Sequence, residues 1–155
     1  MRLTDILTDN HIQIPVTANN RNDSIKDLIN LLDEEINDMD QAFEAVLERE
    51  KIMTTGVGNG IAIPHCKHSS CPNFAAALGI HPKGVDFEAI DKKKVKIIFL
   101  LVGPENNPGL HIKLLSRISR LMSNEDLREQ LINSKSSEEA LQLIEEEENY
   151  FFDID

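Results

Sequence analysis

Residues 95–108 read VKIIFLLVGPENNP, and the fold turns on how this stretch is read. From Val95 to Val102 every residue except Lys96 is apolar, with β-branched residues at the start. A strand with one wet face alternates apolar and polar positions, whereas a nearly continuous apolar run suits a strand covered on both faces. The turn Gly103-Pro104-Glu105-Asn106-Asn107-Pro108 ends the run. Asn107 can cap a helix that holds Pro108 in its first turn, where a missing N–H costs nothing. Behind it His111, Leu114, Leu115, Ile118, Leu121 and Met122 recur at helical spacing. The stretch therefore predicts a buried strand feeding a helix that returns to cover it.

Working toward the N-terminus, Phe74 to Ile80 is a second strand candidate, although Ala75-Ala76-Ala77 leaves a helix open. Gly60-Ile61-Ala62-Ile63 suggests a short strand leaving a glycine turn, and His11 to Val16 another, closed by Pro15. Ser24, with Asp27 three residues on, reads as the cap of a helix whose stripe is Ile25, Leu28, Ile29, Leu32 and Ile36. Asp38 caps a second helix with Met39, Ala42, Phe43, Val46 and Leu47 on its stripe. Toward the C-terminus, Ser123 with Asp126 and Ser136 with Glu139 open two shorter helices. The ending IEEEENYFFDID reads as a frayed acidic terminus, with Tyr150, Phe151 and Phe152 docking back. Helices before and after a group of strands give a layered α/β fold, expected as one domain over residues 1–155.

Composition narrows the function classes. A formal net charge of -11 argues against a nucleic-acid surface, which needs clustered Lys and Arg, and is compatible with a basic protein partner. No apolar run approaches the roughly 20 residues of a membrane span. The start MRLTDILTDN carries early acids and no apolar stretch, so a secretory leader is not expected and a cytoplasmic setting is. Cys66 and Cys71 make no disulfide framework in a chain of 155 residues, and are expected as reduced thiols.

The chemistry gathers around Thr54 to His65, TTGVGNGIAIPH. Its glycines invite a nucleotide-binding reading, but a helix precedes and a strand follows, the inverse of the phosphate-loop context. The glycines also permit a tight turn, which leaves open what the turn presents. It presents His65 behind Pro64, which stiffens the backbone. His111 lies on the apolar stripe of its helix, in the first turn, where an anion is favoured. Two histidines at one anion-friendly place suit phosphoryl transfer, one imidazole attacking and the other stabilising oxygen charge. Each also has a bland reading, an exposed ring or a satisfied core histidine. Zinc held by His65, Cys66, His68 and Cys71 is a rival, weakened because neighbours on a strand face opposite ways. Cys66 as a nucleophile with His65 or His111 as base is weakened too, by the same strand geometry and by the lack of a readable oxyanion-hole partner.

The segment Thr54-Thr55-Gly56-Val57-Gly58-Asn59-Gly60-Ile61-Ala62-Ile63-Pro64-His65, with Arg49-Glu50 before it and Pro104 to Met122 after, resembles the fructose/mannitol-type enzyme IIA domain of the bacterial phosphoenolpyruvate-dependent phosphotransferase system. The resemblance implies a single-domain layered mixed β-sheet flanked by helices. It implies that His65 accepts a phosphoryl group from an HPr-like phosphocarrier and that His111 is an accessory histidine. Arg49, Thr54 and Asn59 match positions supporting the phosphate site. No metal, nucleotide or other cofactor is implied, and the chain would relay phosphate rather than turn over a small molecule. With no attached IIB, IIC or DNA-binding domain readable, the resemblance leans to a free-standing, nitrogen-regulatory form acting on a target protein. Relay to an enzyme IIB cysteine in sugar transport is the alternative.

Overall fold

Strand β6 (Val95–Gly103) forms the middle of the computed structural model, in which residues 1–152 are described. All of its residues are buried except the half-buried Lys96. Its alternate side chains belong to two separate cores: Ile97, Phe99 and Leu101 to one, Ile98, Leu100 and Val102 to the other. That division is what a strand apolar at nearly every position allows.

One edge of β6 pairs antiparallel with β5 (Ala75–Val85), from Ala75 opposite Val102 to Ile80 opposite Ile97. The other edge is shared by two short parallel strands placed end to end, β3 (Ile61–Ala62) and β4 (His65–Lys67). Strand β1 (Ile12–Gln13) adds in parallel to β5, and β2 (Gly56–Gly58) adds antiparallel to β3. The result is a six-stranded mixed sheet. Helices α1 (Arg21–Leu31) and α2 (Met39–Ile52) cover one face. Helices α3 (Pro108–Met122), α4 (Glu125–Ile132) and α5 (Ser137–Phe152) cover the other. This is the layered mixed sheet flanked by helices that the sequence implied.

The three alanines belong to a strand. Ala76 faces the α3 side, while Ala75 and Ala77 face α1 and α2. Pairing along β6 overrides their helical preference, and small residues let α1 approach. At Gly79 a Cβ would stand 2.7 Å from Cγ2 of Val16, which precedes α1, and 3.0 Å from Cδ2 of Leu28 in α1.

Several expectations need correction: Ile36 lies beyond the end of α1, and the strand expected from His11 to Val16 is confined to Ile12–Gln13. Ser24 lies inside α1 and donates to Asn20 O at 2.8 Å; the cap is Asn20, whose side chain accepts from Asp23 N. Asn124, not Ser123, caps α4 by accepting from Leu127 N at 3.2 Å, while Ser123 Oγ donates to Arg120 O. The acidic C-terminal run is helical through Phe152 rather than frayed. Its Glu148 is fully buried and accepts from Leu3 N, Thr4 N and Thr4 Oγ1, which ties α5 to the N-terminal turn. Phe151 and Phe152 dock beneath Arg120 and Arg117, whereas Tyr150 stays exposed. The last three residues of the expected tail, 153–155, lie outside the described residues.

Candidate active site

His65 opens β4, opposite Leu101 of β6. Strand alternation sends Ile61, Ile63 and His65 toward α3, and Cys66 the other way, into the core under α2. Asn107 caps α3 by accepting from Leu110 N at 3.3 Å, which sets His111 in the first turn. The two imidazoles meet there. Their ring centroids are 5.6 Å apart and the planes tilt by 50°. Phe74 borders His111 at 6.1 Å between centroids.

The two rings differ in their partners. His65 Nδ1 lies 2.9 Å from Ile63 O. A carbonyl oxygen only accepts, so Nδ1 carries the proton and Nε2 keeps its lone pair. His111 is 2% exposed, yet neither of its ring nitrogens has a hydrogen-bond partner among the described residues. Burial lowers the His65 pKa below its ordinary value, the Ile63 carbonyl opposes that, Arg49 lowers it further, Glu50 raises it and Lys67 lowers it. His111 is pushed down to about 4 by burial, then by His65 and Lys67. Both rings are therefore neutral near pH 7.

Of the other expected site residues, Arg49 reaches His65 electrostatically while its Nη1 donates to Met53 O at 2.9 Å. Thr54 Oγ1 donates to Phe87 O at 2.6 Å and accepts from Gly56 N at 3.0 Å, locking the start of β2. Asn59 forms the β2–β3 corner with Gly58 and Gly60, at φ values of 59°, 99° and 77°. These are the backbone angles that the glycines permit, and Asn59 N donates to Asp91 Oδ2 at 3.0 Å. Among the described residues no hydrogen bond or ring contact joins Thr54 or Asn59 to either histidine.

Sequence reasoning gave Glu50 no role. Glu50 is buried and accepts from Thr55 N at 3.1 Å and from Thr55 Oγ1, and its charge acts on His65. One signal was present: Ala42, Val46 and Glu50 follow at i, i+4 and i+8 on the buried face of α2. Lys67, whose charge acts on both histidines, was also missed. The zinc alternative is overturned, because His65 and Cys66 face opposite sides of the sheet. No group of three His, Cys, Asp or Glu side chains among the described residues is arranged to hold a metal.

The family model described as "Phosphoenolpyruvate-dependent sugar phosphotransferase system, EIIA 2" matches residues 5–147. The chain belongs to this family. It is 34% identical over 146 residues to the "PTS system fructose-specific EIIABC component" of Bacillus subtilis, covering 93% of this chain but 23% of that protein. It is 32% identical over 151 residues to the "Nitrogen regulatory protein" of Pseudomonas aeruginosa, covering 96% of this chain and 98% of the relative. The crystal structure of "Nitrogen Regulatory Protein IIA-Ntr" from Neisseria meningitidis superposes with a TM-score of 0.85 at 32% identity, covering 90% of this chain and 97% of that one. Among the described residues of this EIIA chain, no helix is long and apolar enough to cross a membrane.

Proposed function

We propose that His65 Nε2 accepts a phosphoryl group from the phosphohistidine of an HPr-type carrier. The observation that carries this reading is the paired arrangement of His65 and His111. One ring donates its Nδ1 proton to Ile63 O and keeps a lone pair free on Nε2; the other is buried with both nitrogens unpartnered among the described residues. A buried polar ring without partners is rare in a folded protein, and phosphate oxygens would satisfy it. In the transfer the donor's N–P bond breaks as the His65 Nε2–P bond forms, roughly in line. His111, at the positive end of α3, then stabilises oxygen charge. Arg49 adds a cation on the approach, while Thr54 and Asn59 act by holding the loop that delivers His65. No residue of this set calls for a metal or cofactor in the step.

The test is incubation with phosphoenolpyruvate, enzyme I and HPr. Wild type takes up acid-labile, base-stable phosphate and His65→Ala takes up none. Labelling of His65→Ala would sink the assignment.

The regulatory reading is favoured for the output, supported by likeness to nitrogen regulatory proteins over nearly their whole length. Phosphorylation-dependent, stoichiometric binding to a target in a cytoplasmic extract fraction, without onward transfer, is its expected behaviour. The fructose-specific relative names a second reading, relay to an enzyme IIB. Passage of label from His65 to a IIB cysteine would establish that one instead.

A further inference from the structure

The His65 ring is held by a run of hydrogen bonds that begins on another element. Its Nδ1 donates to Ile63 O at 2.9 Å. Ile63 N in turn donates to Thr55 O at 3.1 Å. Thr55 then donates twice to the Glu50 carboxylate, its N to one oxygen at 3.1 Å and its Oγ1 to the other. The run leads from the last turn of α2, through the start of the glycine loop, to the ring that opens β4. Glu50 and Thr55 are each only 4% exposed.

A carboxylate in the interior is costly unless its oxygens are used, and here each oxygen takes one donor. The two bonds do more than turn the chain out of α2. The loop has separate anchors on either side of Thr55: Thr54 Oγ1 donates to Phe87 O at 2.6 Å, and Gly56 O accepts from Ile90 N at 3.1 Å. The Glu50 pair acts at the residue between them, the one whose carbonyl Ile63 N meets. Fixing Thr55 therefore fixes Ile63.

In a neutral imidazole the hydrogen bond made at one nitrogen decides which of the two is bare. The Ile63 carbonyl must stay within reach of Nδ1 if Nε2 is to meet a phosphoryl group. Downstream of that carbonyl, Pro64 O accepts from Leu101 N at 3.0 Å, which ties this side to β6. Upstream, the tie runs through Thr55 to Glu50.

We infer that Glu50 is a positioning residue for the phosphoacceptor: through Thr55 and Ile63 its buried carboxylate holds His65 with Nδ1 protonated and Nε2 bare. The inference rests on the phosphoacceptor reading given above. Among the described residues no hydrogen bond joins Glu50 to His65, so the effect is carried by the two residues between them.

The experiment reads the ring directly. Long-range proton–nitrogen NMR of the full chain at about pH 7.5, where the ring is neutral, tells a protonated from a bare nitrogen. Wild type should show His65 with Nδ1 protonated and Nε2 bare. Glu50→Ala should show the proton shared between the two nitrogens, with phosphate uptake from a phosphorylated HPr-type carrier slowed by on the order of tenfold. Glu50→Gln keeps an oxygen for Thr55 N and gains an amide that can donate to Thr55 Oγ1. It should restore the wild-type tautomer and bring uptake to within about threefold of wild type. Thr55→Val should slow uptake in the wild-type background and add nothing in Glu50→Ala, because both act through one link. A wild-type tautomer in folded Glu50→Ala, no restoration by Glu50→Gln, or additive losses in the double variant would each overturn the inference. Where Glu50→Ala does not fold, Thr55→Val decides: a shared proton supports the inference and an unchanged tautomer overturns it. A wild-type chain that takes up no phosphate counts against the phosphoacceptor assignment alone, since the His65 tautomer is read without phosphate.

Discussion

His81 and His111 are both nearly inaccessible, at 6% and 2% exposure, but they occupy their cores differently. His81, on β5, places Nε2 2.8 Å from Ala18 O and so ties the strand to the segment before α1. His111, facing His65, has no partner for either nitrogen among the described residues. Burial of a polar ring is thus a weak guide to function, because the first ring has a structural use. The informative difference is how many partners are missing: among the described residues His81 lacks one only at Nδ1, whereas His111 lacks one at both nitrogens. A group held in the interior without compensation costs stability, and the compensation is expected from something that arrives.

Substitution should separate the two rings most sharply through phosphoryl transfer. His111→Leu should lower the transfer rate by on the order of 10²-fold, the usual scale for removing a preorganised charge-stabilising group. Because no existing hydrogen bond is lost, thermal melting should be unchanged or raised slightly. His81→Leu should leave the transfer rate within about twofold of wild type, since its ring is bonded to Ala18 and not to the site. Rate assays and melting on the same two preparations check both. Equal rate losses in the two variants would erase the distinction.

The next effect belongs to the scaffold that His81 serves. Gly79→Ala should destabilise by about 3 kcal/mol, because its Cβ would stand 2.7 Å from Val16 and 3.0 Å from Leu28, inside α1 packing. His81→Leu should cost about 1–2 kcal/mol by leaving Ala18 O unpaired. Urea unfolding orders the pair. His81→Leu proving the costlier would mean that the Ala18 bond outweighs the close approach of α1.

The sequence carried some of these distinctions and not others. Local pattern was enough for β6, α3 and the Asp38 cap, since each depends on residues a few positions apart. It placed the cap at Ser24 and not at Asn20, because the extended backbone of Asn20 is set by the chain before it. It allowed His65 and Cys66 a strand, but did not show that this is a separate three-residue strand, β4, defined by its pairing with β6. The histidine pair was legible through spacing and motif resemblance. That His65 holds its proton at Nδ1, that His111 lacks partners and that Glu50 is buried all depend on contacts made by folding. Glu50 shares the stripe of Ala42 and Val46, but its use is seen only once Thr55 donates to it twice.

Acid should expose the histidine difference more gently, and in a definite direction. The His65 pKa is lowered, foremost by burial, so its Nε2 stays available at pH 7 and the transfer rate should decline only as the pH drops below about 6.5. Between pH 7.5 and 6.5 the change should be less than about twofold. Stability has the same sign. His111 is held down to about 4 by burial, then by His65 and Lys67, whereas the unfolded ring protonates near 6.5. Between those two values the unfolded chain binds more protons than the folded one, so stability falls on acidification through that window and levels off below about 4. In His111→Leu this contribution disappears, and the melting temperature should decline less between pH 7 and pH 4.5 than in wild type. A variant as acid-sensitive as wild type would mean that His111 does not reside in its core as an uncompensated ring, and the contrast with His81 would fail with it.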